Sequence, residues 1–97
     1  MGLVSMRDGK ERMREVRALV LEWDAIGVAD FPEAADEYDC MIGPLYGHLQ
    51  RGADARFLCD WIARERVDHF GLSPDLGADR ALADALVAWW TARSSRR

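Results

Sequence analysis

Tyr38-Asp39-Cys40-Met41-Ile42-Gly43-Pro44-Leu45-Tyr46-Gly47-His48-Leu49 is the stretch that decides the fold. Tyr38, Met41, Ile42, Leu45, Tyr46 and Leu49 stand at i, i+3, i+4, i+7, i+8 and i+11, the repeat of one buried helix face and not the alternation of a strand. Pro44 disturbs that helix, because its ring removes the bond to the Cys40 carbonyl and crowds it, so a kink or interruption is expected near Pro44. Opposite the apolar stripe, Cys40, Gly43 and Gly47 form a line of small residues. Two readings stand there: close approach of another helix, or glycines that tolerate the bend.

The same period extends on both sides of this segment. Upstream, Met6, Met13, Val16, Val20 and Trp23 form one stripe of a helix running from about Ser5 or Asp8 to Trp23, with Arg7, Lys10, Glu11, Arg14 and Glu15 on its solvated face. Gly27 then suits a helix end, and Asp30-Phe31-Pro32-Glu33 reads as a D-x-x-E capping box with proline in the first turn of the second helix. Downstream, Gly52 ends that helix. Asp54 is placed to cap a third, from Ala55 to about Phe70, with Gly71 just past its end and Phe57, Leu58, Trp61 and Ile62 facing inward. A fourth helix is expected from about Ala78 to Arg93, burying Leu82, Ala85, Leu86 and Trp89, with Trp90 at the edge. Residues 94–97 are polar, basic and expected to fray. The expectation is an all-α fold: a compact bundle of four helices with short connections, forming a single domain over residues 1–97.

Composition sets the bounds on function. With 97 residues, 49% hydrophobic and 31% charged, the chain can build one core but not a second core around a deep substrate cleft. No apolar run approaches the roughly 18 residues that span a bilayer, and residues 1–10 lack the apolar centre of a signal peptide, so no membrane association and a cytoplasmic location are expected. Cys40 and Cys59 have no CxxC spacing and no neighbouring histidine pattern that resembles a zinc site. In a hairpin about Gly52, their 12- and 7-residue distances from the turn leave them about 7 Å out of step along the axes. Added to about 8–10 Å between axes, this exceeds a disulfide's reach, and thiols are expected.

Charge gives the one functional direction. Residues 18–50 contain seven carboxylates (Glu22, Asp24, Asp30, Glu33, Asp36, Glu37 and Asp39) and no Lys or Arg, and the net charge runs +2, −7 and +1 over residues 1–17, 18–50 and 51–97. A concentration of negative charge attracts a basic partner and repels nucleic acid. Helix dipoles favour acids in a first turn, which explains some of them, but Glu33 and Glu37 are like charges at i, i+4. Asp36 and Asp39, with Asp24, offer hard-cation ligands without the glycine turn of a calcium loop.

Other candidates are fewer. Glu65 and His69, at i, i+4 on the third helix, form either a general acid–base pair or a structural pairing at a helix end. His48 and His69 are too far from a common level of the hairpin to share a metal. No phosphate-binding loop, nucleophile elbow, HExxH or EF-hand pattern is present, so no catalytic residue, metal or cofactor is assigned. Most of the four tryptophans should anchor the core. Trp90, off the centre of its helix's buried face, is either an exposed interface residue or cover for the core's rim.

Leu21-Glu22-Trp23-Asp24-Ala25-Ile26-Gly27-Val28, followed by Pro32-Glu33-Ala34-Ala35-Asp36-Glu37-Tyr38-Asp39 and later Gly71-Leu72, resembles a group of short bacterial all-helical proteins described only as a domain of unknown function. Their pattern is W-D-P-I-G, then D-E-Y-D, then a G-L before the last helix; Ala25 stands where proline is usual. The resemblance spans about residues 14 to 73 and implies a small helical bundle, without an activity. The reading from sequence is therefore a non-enzymatic acidic protein-binding module, in its most concrete form an immunity or antitoxin-type protein masking a basic partner. Its expected binding residues are Trp23, Asp24, Asp30, Glu33, Asp36, Glu37, Asp39 and Trp90. The alternatives are a small acid–base or metal-assisted enzyme using Glu65 and His69, or a homo-oligomer built on the small-residue stripe or Trp90.

Overall fold

Among the described residues the helical period is realised in four α-helices. The computed structural model describes residues 2–23 and 38–94, with side chains over 9–23 and 38–93. Its elements are α1 (Gly2–Trp23), α2 (Asp39–Gln50), α3 (Ala55–Arg64), a π-helical turn (Glu65–His69) and α4 (Leu76–Ser94). Among the described residues there is no strand, and no helix is long and apolar enough to cross a membrane. The expected turn at Gly27, the capping box at Asp30–Glu33 and most of the tail lie outside the described residues.

Each helix gives one stripe to a common core: Val16 and Val20 from α1, Met41, Ile42, Leu45 and Leu49 from α2 with Tyr38 just before it, Leu58 and Ile62 from α3, and Leu82, Ala83 and Leu86 from α4. Burying each of these leucines and isoleucines contributes about 1.5–3 kcal/mol. α1 packs on α2 and α4, and α3 packs on α4. The caps follow the sequence. The Phe57 amide donates to the Asp54 carboxylate at 2.9 Å, the Ala78 amide to that of Asp75 at 3.0 Å, and Gly52 and Gly71 take the left-handed conformation at φ +87° and +65°.

Three expectations are corrected. Of the two alternatives at Pro44, interruption does not occur: α2 runs unbroken from Asp39 to Gln50 with Pro44 inside it on the exposed side. Phe57 is 49% exposed rather than buried, since it lies on the first turn of α3 and stacks edge-on against His48, with ring centroids 5.0 Å apart. On α4 the buried alanine is Ala83, not Ala85. The inward stripe is Asp79, Leu82, Ala83 and Leu86, so a buried carboxylate, absent from the sequence reading, fixes the helix's rotation.

Candidate functional site

Asp79 and Arg66 are the two buried charged residues among those described, at 0% and 7% exposure. Asp79 Oδ1 accepts from Arg66 Nε at 3.0 Å and Nη2 at 2.9 Å, and from the indole N–H of Trp23 at 2.9 Å. The Arg66 guanidinium also lies over the Trp23 ring at 5.2 Å, and Trp23 and Phe70 each meet Tyr38 edge-on at 5.7 Å. Trp23 is thus held by internal contacts, with part of its ring still accessible.

Arg66 belongs to the π-helical turn, and its inward anchor holds that turn against α4. The Phe70 amide reaches the Glu65 carbonyl at 3.1 Å. Gly71 then donates to Val67 at 3.1 Å and Leu72 to Arg66 at 2.9 Å, each bond one residue wider than in an ordinary Schellman ending. Glu65 and His69 open and close this turn, and both come to the start of α2.

There His69 Nε2 lies 3.3 Å from Cys40 Sγ. A carboxylate oxygen of Glu65 joins them, so that the thiol, imidazole and carboxylate ligand atoms all lie within 4.8 Å of one another. Cys40 and His69 are exposed and Glu65 is half-buried. Neither an ion pair nor a hydrogen bond links Glu65 to His69, so the expected pairing is replaced by a three-residue arrangement. The expectation that no histidine pattern stands near a cysteine holds along the chain and fails in space. Cys59, in contrast, is partly covered on α3, and burial together with Asp79 and Asp60 pushes its thiol up from the usual range.

The remaining candidates are spread over the molecule. Glu22 and Asp39 are exposed, and Asp39 forms an ion pair with Arg17 of α1. Asp24, Asp30, Glu33, Asp36 and Glu37 lie outside the described residues. Trp90 is partly buried between α1 and α2, edge-on to Tyr46 at 5.8 Å and under the Arg12 guanidinium at 5.8 Å. Glu15, expected on a solvated face, instead accepts from the Trp89 indole at 2.6 Å and from Arg93 at 3.0 Å, joining α1 to α4. His48 does not approach His69; it packs on Phe57 and Trp61 and shares a 3.1 Å contact with Arg51. An open groove of about 730 Å³ between α1 and α2 is lined by Lys10, Arg14, Arg17 and Asp39 together with Met13, Ile42 and Tyr46.

No protein-family model, curated protein or solved structure matches this chain.

Proposed function

We propose that the chain is a non-enzymatic binding module that offers an acidic surface to a basic protein partner, most concretely in the manner of an immunity or antitoxin protein. The observation that carries this reading is the 33-residue stretch 18–50, with seven carboxylates and no Lys or Arg. Glu22 and Asp39, on either side of residues 24–37, are exposed, which supports it. Arg17 shares the charge of Asp39, so the attraction is drawn chiefly from Glu22, Asp24, Asp30, Glu33, Asp36 and Glu37. Trp90 supplies an aromatic rim in this reading, whereas Trp23 is committed to Asp79. Long-range attraction of this kind speeds association and is screened by salt.

The test is a variant with Glu33→Lys, Asp36→Lys and Glu37→Lys, with a basic toxin-type nuclease as the binding partner. Capture is expected to be lost in the variant and weakened by salt in the parent, with helicity unchanged in both. Binding of equal strength by parent and variant would remove the proposal.

A further inference from the structure

We infer that Cys40, Glu65 and His69 form a binding site for one divalent transition-metal ion of the zinc class. The inference is independent of the acidic-segment reading. It begins with the donors: a thiol, an imidazole and a carboxylate, brought from α2 and the π-helical turn, 25 and 29 residues apart in sequence. Thiolate and imidazole favour Zn²⁺ and Co²⁺ over Mg²⁺ and Ca²⁺, which prefer all-oxygen shells.

The spacing agrees. Bond lengths of about 2.3 Å to sulfur and about 2.0–2.1 Å to nitrogen put two ligands of a tetrahedral ion roughly 3.5 Å apart, and Cys40 Sγ and His69 Nε2 are 3.3 Å apart. A carboxylate oxygen of Glu65 lies within 4.8 Å of both, near enough to share an ion with them. Binding releases the thiol proton to solvent as the sulfur–metal bond forms. Thiolate and carboxylate then balance the two positive charges of the ion, so the loaded site is neutral.

The rival chemistry for the same residues is a cysteine nucleophile activated by His69, with Glu65 orienting the imidazole. In that arrangement Glu65 would be bonded to the ring to orient it, and Glu65 forms no such bond to His69. A thiol, an imidazole and a carboxylate whose ligand atoms lie within 4.8 Å of one another, with no bond from Glu65 to the ring, suit an ion better than a relay. Because Cys40 and His69 are exposed, the fourth position opens to solvent and is taken by water, the three-ligand pattern of catalytic zinc sites.

The chelator-treated full chain is titrated with Co²⁺, then with Zn²⁺, with Mg²⁺ as the control. One equivalent of Co²⁺ is expected to give a thiolate-to-cobalt charge-transfer band and the intense visible bands of a tetrahedral ion, all displaced by Zn²⁺ and unaffected by Mg²⁺. Cys40→Ser should abolish the charge-transfer band while Cys59→Ser keeps it. Glu65→Gln and His69→Gln should each weaken binding by more than the roughly 10- to 100-fold that loss of a supporting outer contact costs. All these positions are at least partly exposed, and circular dichroism verifies that each variant folds. Absence of a thiolate band in the parent, or a band that survives Cys40→Ser, overturns the inference and leaves a hydrogen-bonded thiol–imidazole pair.

Discussion

The most consequential single residue is Asp79, a carboxylate with no exposure whose charge is matched by one arginine and one indole N–H. Removing one partner of a buried pair strands the other in a poorly solvated position, which costs about 3–5 kcal/mol, whereas replacing both with apolar groups is often neutral. Asp79→Asn should therefore lower unfolding free energy by about that amount in urea titrations, and Arg66→Met with Asp79→Leu should recover most of it. Recovery failing in the double variant would mean that the pair does more than satisfy itself. This pair was legible in part. Asp79 continues the stripe of Leu82, Ala83 and Leu86, and Arg66 stands at i+4 from Ile62 and i+8 from Leu58, so two opposite charges occupied core positions.

Between elements, the hairpin of α2 and α3 carries both the best-read and the worst-read features. The start of α3 at Ala55, its Asp54 cap and the Gly52 and Gly71 turns follow from local chemistry and were legible. The register that separates Cys40 from Cys59 also sets Cys40, 12 residues before Gly52, level with Glu65, 13 after it. The cluster was therefore within reach of the sequence. The π-helical turn was not: its extra residue depends on Arg66 reaching Asp79 on another helix, a tertiary demand with no local signature. The hairpin seam also gives a pH dependence. Burial between Phe57 and Trp61, then the Arg51 charge, lower the His48 pKa below its usual 6.5, so the folded chain favours the neutral ring and the unfolded chain binds more protons. Its contribution is complete above about pH 6.5 and is lost as pH falls through the lowered folded value. Urea midpoints of the parent should fall between about pH 7.5 and about pH 5.5, and His48→Gln should make that decline shallower. An unchanged slope would show that His48 is not the group responsible.

At the scale of the whole molecule, the four-helix core was legible because the period of its apolar residues is set by chain geometry, whatever the helices pack against. The proposed acidic surface rests on composition: five of the seven carboxylates of residues 18–50 fall in residues 24–37. Self-association can be argued from surfaces that are described. Gly47, on the small-residue stripe, faces the Arg51 guanidinium, whose nitrogens lie 3.4 and 3.5 Å from where a Cβ would stand, and Trp90 lies under Arg12. A two-fold interface places each patch against its own copy. Pairing through Gly47 would bring in the Arg51 guanidinium that stands over it, and pairing through Trp90 would have to displace the Arg12 guanidinium that covers the ring. The metal-free chain should accordingly sediment as a single 11.0 kDa species at micromolar concentration. A stable dimer that dissociates on Trp90→Ala or Gly47→Arg would show instead that the arginines turn aside to admit a second copy, and would make self-association the leading account of these two surfaces.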